Sequence, residues 1–193
     1  IQSDHIDFHG NFENYKNAKL KICPENMNTV FCQNDNYQMI ARDLVFRLEG
    51  KNLSNKFNFK NLPFRLEKLS NGIINDSKST NTSSLLYAIN KMDFKGDLII
   101  CGDPAKEGYK NLKIDGPKKV FIYGLHKKQL SKLISHPNVV VHENLDEIFE
   151  IIKSENRAID ILFSPGNPSG NDYSNFVERG EHFNQLKAIY FDQ

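Results

Sequence analysis

The chain has no tryptophan and only three cysteines, Cys23, Cys32 and Cys101, among its 193 residues. They form neither a C-x-x-C pair nor the spacing of a zinc site, which argues against a disulfide framework or a structural zinc and for a reducing compartment. No apolar run approaches the roughly 18 residues that a membrane span needs, and no charged-then-apolar leader opens the sequence. An excess of one charge is lacking too: 25 basic against 24 acidic side chains leave a net charge of +1. That balance provides no broad field for nucleic acid, so a charged ligand must be bound locally. The phosphate-cradling pattern G-x-x-x-x-G-K-[ST] is also absent, and any ATP chemistry would need that loop from elsewhere. We expect a cytoplasmic protein that binds neither membrane nor nucleic acid and acts on small molecules, and we expect a monomer.

What is present is enough apolar content, 39%, to bury one full domain and a smaller neighbour. The sequence opens at Ile1 without an initiator Met, and we expect a piece of something longer. Asn11 to Ile22 reads as a short helix capped by Asn11 and stopped before Pro24. Thr29 to Cys32 is a short β-prone run. Tyr37 to Leu48 sets Met39, Ile40, Leu44, Val45 and Leu48 on one helical face, and Gly50 to Asn61 reads as a linker.

From Leu62 onward, short apolar runs alternate with amphipathic stretches. Strands are expected over Gly72 to Asn75, Asp97 to Cys101, Lys119 to Tyr123, Asn138 to Val141 and Ile159 to Phe163. Helices are expected over Ser83 to Lys91, Lys127 to Ser135, Leu145 to Ser154 and Asp172 to Lys187. Ala188 to Phe191 fits either a further strand or a continuing helix. Such alternation predicts an α/β fold with a mostly parallel sheet and flanking helices, a Rossmann-like C-terminal domain over 61–193 preceded by a separate segment, 1–60.

Polar residues gather where those strands end. Asn75-Asp76-Ser77-Lys78-Ser79-Thr80-Asn81 follows the first, Gly102-Asp103-Pro104-Ala105-Lys106 the second, and Ser164 to Ser169 the last. Ligands of open parallel sheets sit at such edges, and the N–H groups of a following helix are suited to an anion. One cluster alone would be an ordinary solvated loop; three at corresponding strand ends favour a site. Lys78 and Lys106 can each neutralise a carboxylate or a phosphate, and are otherwise surface lysines. Arg65 beside Phe64 suits a nucleotide phosphate and base, or equally an interdomain salt bridge. Asp4, His5, Asp7 and His9 crowd the N-terminus as a weak candidate for a divalent ion. Physics alone gives Lys19 a carboxylate partner at a helix end. His126, His136, His142 and His182 show no pattern and read as surface or structural, and Tyr173, Phe176 and Phe183 read as a helical core face.

Taken in order, these segments resemble the Mur ligases. Asp4-His5-Ile6-Asp7 with Asn14-Tyr15 and Ala18-Lys19 looks like the D-H-L-D, Y and A-K pattern of that family's central domain, and Leu62 to Glu67 looks like its L-P-H-R-x-E. Asn75 to Asn81 is similar to N-D-S-K-A-T-N. Gly102 to Gly108, then Ser164-Pro165 with Asn175-Phe176 and Glu178-Arg179-Gly180, complete the series and point to the branch that adds D-glutamate. The likeness is thin between Leu20 and Asn61.

The resemblance implies a bacterial, ATP-dependent amide ligase of peptidoglycan synthesis, joining D-glutamate to UDP-N-acetylmuramoyl-L-alanine through an acyl phosphate. Residues 1–60 would be part of the central, ATP-binding domain and 61–193 the amino-acid-binding domain, a partial chain without turnover of its own. His5 would help hold Mg²⁺, and Lys19, carbamylated, would supply a carboxylate to a second metal. Arg65 would meet a phosphate and Asp76 the ribose of ATP, while Lys78, Thr80, Lys106, Ser169 and Phe176 would surround D-glutamate. Three departures weaken the pattern: Phe64 in place of His, Asp103 in place of a second Gly, and Gly166-Asn167-Pro168 in place of a small Ala-Cys-Ala run. The competing expectations are a non-catalytic Rossmann-like binding module and a folylpolyglutamate synthase-like ligase.

Overall fold

A computed structural model of the chain describes residues 6–21, 37–52, 62–70, 72–106 and 111–192. The chain divides into two compact units, Ser3–Asn61 and Leu62–Gln193. The expected β-run at Thr29 to Cys32 and the metal candidates Asp4 and His5 lie outside the described residues.

The first unit contributes three helices, α1 (Ile6–His9), α2 (Phe12–Leu20) and α3 (Tyr37–Glu49). Asn11 caps α2 as expected: its side-chain oxygen accepts the Asn14 N–H at 2.8 Å, satisfying one of the amides that a helix start leaves open. Tyr15 is the buried anchor of α2, with the His9 ring edge-on at 5.3 Å. On α3 the expected apolar face is not buried, since Met39, Leu44 and Leu48 are exposed.

The second unit is built on a six-stranded sheet. Its parallel strands are β2 (Ile73–Asn75), β3 (Asp97–Ile100), β5 (Lys119–Ile122), β7 (Val139–Val141) and β8 (Ile161–Phe163). The short edge strand β1 (Glu67–Ser70) runs antiparallel to β2. Across the sheet the order is β1-β2-β8-β3-β5-β7. Sequence reading missed β1 because its Glu-Lys-Leu-Ser carries no apolar run; an edge strand needs only one face buried. The three residues of β2, four of β3 and three of β8 are wholly buried, as a central parallel strand covered on both sides should be.

Alternate residues of each strand feed two cores. Ile74, Leu98, Ile100, Val120, Ile122 and Leu162 meet Leu85, Ala88 and Ile89 of α4 (Thr82–Met92) and Leu130 of α5 (Lys127–Leu133). Ile73, Ile99, Phe121, Ile161 and Phe163 face the other way, onto α6 (Leu145–Ser154) and α7 (Phe176–Phe191). There Phe163 stacks on Phe183 at 4.6 Å between ring centres, and Phe149 meets Phe183 edge-on at 5.2 Å. Asparagines start the main helices: Asn81 accepts the Ser84 N–H, Asn144 the Glu147 N–H, and Asn175 those of Val177 and Glu178.

Two helix expectations change at their ends. The stretch expected to run to Ser135 stops at Leu133, because Ile134 and Ser135 form β6, paired with β4 (Leu112–Lys113). The last helix starts later and ends later than expected, so Ala188 to Phe191 is its continuation rather than a strand. Tyr173 therefore precedes α7 instead of joining its face. Its hydroxyl lies 3.1 Å from that of Tyr123 and 2.9 Å from Nδ1 of His182.

The two ends of the sheet differ in their polar chemistry. At the amino end, buried Asp97 is paired with Arg157, and Glu155 binds both Arg157 and Lys119 at 2.5 Å. These charges neutralise one another across the entrances to β3, β5 and β8. The carboxyl end is organised around a cation.

Candidate functional site at the carboxyl edge of the sheet

Three loops leave the carboxyl ends of β2, β3 and β8, and the sequence makes each turn sharply. After β2, Asn75 is fully buried; its amide donates to the Gly180 carbonyl at 2.9 Å and to Asn184 Oδ1 at 2.7 Å, while its oxygen accepts the Ser77 N–H at 3.0 Å. After β3, Gly102 adopts φ 95°, and a Cβ there would stand 2.2 Å from the Pro168 carbonyl oxygen. Only glycine allows that approach. The next residue, Asp103, donates its N–H to the same carbonyl at 3.0 Å. After β8, the Gly166 N–H reaches the Ser79 carbonyl at 3.0 Å, and the Asn167 side chain donates to the Cys101 carbonyl at 3.2 Å.

Arg179 joins the loops after β2 and β8. It is completely buried on α7; Nε donates to Ser77 Oγ at 3.1 Å, one terminal nitrogen to the Ser77 carbonyl at 2.8 Å and the other to the Asn167 carbonyl at 3.0 Å. The space left by the missing Gly102 side chain lies against that second nitrogen. The rigid fork of a guanidinium is what allows one side chain to hold two separate carbonyls. Sequence reading did not place Arg179 in the site, yet a signal was there. It follows Phe176 by three residues and precedes Phe183 by four, so it is a charged residue on the inward stripe of α7.

Several expected residues converge on this frame. Lys78 sits with Nζ 3.8 Å from the centre of the Phe176 ring, within cation-π range. Phe176 is fixed in turn, since its carbonyl accepts the Ser77 hydroxyl at 2.8 Å. Ser169 is buried in the loop after β8, and Thr80 is half-buried two residues before α4. Lys106 ends the short 3-10 turn Pro104–Lys106 after β3; its side chain lies outside the description. Lys19 belongs to the other unit, exposed on α2 with Nζ 5.5 Å from the Tyr15 ring centre, rather than at a buried helix end.

Asp76 is 5% exposed. One carboxylate oxygen accepts the Leu66 N–H at 3.0 Å and the other the Ser164 hydroxyl at 2.9 Å. Burial pushes its carboxyl up from 3.8 to about 6, against the opposing pull of Ser164, Leu66 and the Arg65 guanidinium. A ribose hydroxyl would have to use the remaining lone pairs of oxygens already engaged. The four histidines set aside on sequence have local contacts: His136 with the Asn138 and Pro117 carbonyls, His142 with Glu147, His182 with Tyr173, and His126 at 3.9 Å from Asp103.

The residue at the position of the resembled motif's alanine, Ser79, is 2% exposed, and its hydroxyl finds no hydrogen-bond partner among the described residues. A buried unpaired hydroxyl costs roughly 1–3 kcal/mol. Ser79→Ala should therefore raise the urea midpoint of the protein by the equivalent of about 1 kcal/mol without changing the slope; a fall in the midpoint would mean that the hydroxyl is bonded.

Residues 1–99 match the family model described as the Mur ligase middle domain. The matched stretch crosses the division between the two units and ends inside β3. Among curated proteins the chain is similar to the UDP-N-acetylmuramoylalanine–D-glutamate ligase of Thermotoga petrophila, 26% identical over 96% of this chain and 57% of the relative. It is similar also to that of Petrotoga mobilis, 30% identical over 92% of this chain and 43% of the relative. That of Thermotoga sp. strain RQ2 is 36% identical over 66% of this chain and 31% of the relative. The chain thus spans about half the length, or less, of these relatives. It belongs to the Mur ligase family.

Proposed function

We propose that the chain is the amino-acid-binding domain, with part of the ATP-binding central domain, of a cytoplasmic, monomeric ligase that joins D-glutamate to UDP-N-acetylmuramoyl-L-alanine in peptidoglycan synthesis. The observation that carries this reading is the Lys78 ammonium seated on Phe176, at an edge where Arg179 binds together the loops after β2 and β8. Lys78, Thr80, Ser169 and Phe176 hold the dicarboxylic amino acid, with Lys106 as a second cation. Arg65, exposed beside Asp76, meets a phosphate of ATP. The loop that holds the triphosphate is supplied from outside these 193 residues, so this chain alone does not turn over.

In the reaction, the L-alanyl carboxylate takes the γ-phosphoryl group of ATP and becomes an acyl phosphate, and ADP leaves. The amine of D-glutamate, having lost its ammonium proton, attacks the carbonyl carbon. The C–N bond forms, the nitrogen gives up a further proton to solvent, the bond from the carbonyl carbon to the phosphate oxygen breaks, and inorganic phosphate leaves. The contribution of this chain is to fix the amine in reach of that carbon and to offset the charge of two carboxylates, both of which lower the barrier by orientation and electrostatics. Mg²⁺ would neutralise phosphoryl charge. The described residues bring no three His, Cys, Asp or Glu side chains together for a metal; His5 and carbamylated Lys19 would hold the Mg²⁺.

Calorimetric titration of the complete protein with D- and L-glutamate tests the assignment, since preference for the L form would remove it. Lys78→Ala should raise the KM for D-glutamate by about tenfold or more, the loss of one charge-assisted contact of roughly 1.5–3 kcal/mol. Folding should be retained, because Lys78 is half-exposed. An unchanged KM would place the amino acid elsewhere.

A further inference from the structure

Arg65 is flanked by two residues in left-handed backbone, Phe64 at φ 60° and Leu66 at φ 46°. Bulky side chains rarely take that conformation, because Cβ crowds the neighbouring carbonyl oxygen. Such outliers persist only where the surroundings over-determine them, and they gather at functional positions.

Here the surroundings do over-determine the turn. The Phe64 N–H donates to Glu67 Oε2 at 2.9 Å, and the Leu66 N–H donates to Asp76 Oδ1 at 3.0 Å. The Phe64 carbonyl accepts the Lys78 N–H at 2.9 Å, and the Arg65 N–H reaches the Leu62 carbonyl at 3.3 Å. The Phe64 ring lies flush on α7, where a Cβ at Gly180 would be 2.4 Å from it. Glu67 pairs with Asn75 across β1 and β2, and Asp76 follows Asn75 directly in the chain. Two carboxylates at the same end of adjacent strands thus each accept the N–H of one left-handed residue, and Arg65, between those two residues in the chain, is exposed.

We propose that Phe64-Arg65-Leu66 is a strained bracket that presents the Arg65 guanidinium, and that Glu67 is its positioning residue. The proposal rests on the reading above in which Arg65 meets an ATP phosphate. A backbone already held in the bound geometry spares the ordering cost that a free arginine would incur on binding. Glu67 touches no substrate; it acts through the Phe64 amide.

The test is steady-state kinetics of the complete ligase with ATP and D-glutamate varied separately. Glu67→Ala should raise the KM for ATP by about tenfold and leave the KM for D-glutamate unchanged, as expected for misplacement of one phosphate ligand. Glu67→Gln, whose amide oxygen still accepts the Phe64 N–H, should recover most of the loss. Amide exchange of Phe64 should accelerate in Glu67→Ala while the β2 amides stay protected. Equal rises in both KM values, or no recovery in Glu67→Gln, would show a general structural role and overturn the proposal. Arg65→Ala separates the two layers: if it leaves the KM for ATP unchanged, the nucleotide reading falls and takes the proposal with it. If it raises that KM while Glu67→Ala does not, only the bracket is refuted.

Discussion

Arg179→Met should destabilise the protein by about 2–5 kcal/mol and collapse the crevice with it. The substitution keeps the length and apolar stem of the side chain, so the loss is chiefly that of the fork. The Ser77 and Asn167 carbonyls would then be buried without donors, at roughly 1–3 kcal/mol each. Against the usual 5–15 kcal/mol of a folded domain, this is a large fraction. Arg179→Lys should recover less than half, because one ammonium cannot bridge two carbonyls on different loops. Urea unfolding of the chain measures both, and a loss under 1 kcal/mol in Arg179→Met would show that the loops hold without it. The same variants should weaken D-glutamate binding beyond what stability explains, since the loop after β2 carries Lys78 and Thr80 and the loop after β8 carries Ser169.

The second large effect has the opposite sign. Asp76→Asn should stabilise the protein above pH 6. The Asp76 carboxyl is raised from 3.8 to about 6 by burial, so the folded state binds its proton more tightly than the unfolded chain does. The resulting stability is fully present below about pH 4 and is lost as pH rises through 6. At neutral pH the protein carries a buried carboxylate at a cost of about 3 kcal/mol, since each tenfold weakening of the acid corresponds to roughly 1.4 kcal/mol. Asparagine removes the charge and keeps an oxygen for the Leu66 N–H, while the Ser164 hydroxyl can reverse to accept. Thermal melts from pH 4 to 8 should show a gain for Asp76→Asn that is near zero at pH 4, grows to pH 6 and then levels off. A gain independent of pH would mean that Asp76 is not the titrating group. A residue kept at such a cost fits a functional role better than a structural one.

How far the sequence carried depends on the element. Ile99, Ile100, Phe121, Ile122, Leu162 and Phe163 lie in apolar runs too short for helices, and the parallel strands could be read from them directly. Asn11, at its helix start, announced itself by residue type. The loops of the candidate site were visible as residue clusters, because Asn75 to Asn81 and Ser164 to Ser169 each follow such a run. The edge strand β1 was hidden, since polar residues suffice where one face meets water. Arg179 was hidden for a different reason: periodicity places it on the inward stripe of α7 but does not say that a charge there is satisfied. Lys78 and Phe176 are 98 positions apart in the chain and meet only because β8 is inserted between β2 and β3.

By itself, then, the amino-acid sequence determined the alternation of strands and helices, the starts of α2, α5 and α6, and which loops carry polar chemistry, because each depends on neighbours a few residues apart. Only the tertiary structure decided that the loops after β2, β3 and β8 form one edge, that Arg179 binds two of them together, and that Arg65 stands in a strained turn. Those outcomes depend on sheet order and on buried polar groups finding partners 88 to 105 residues away.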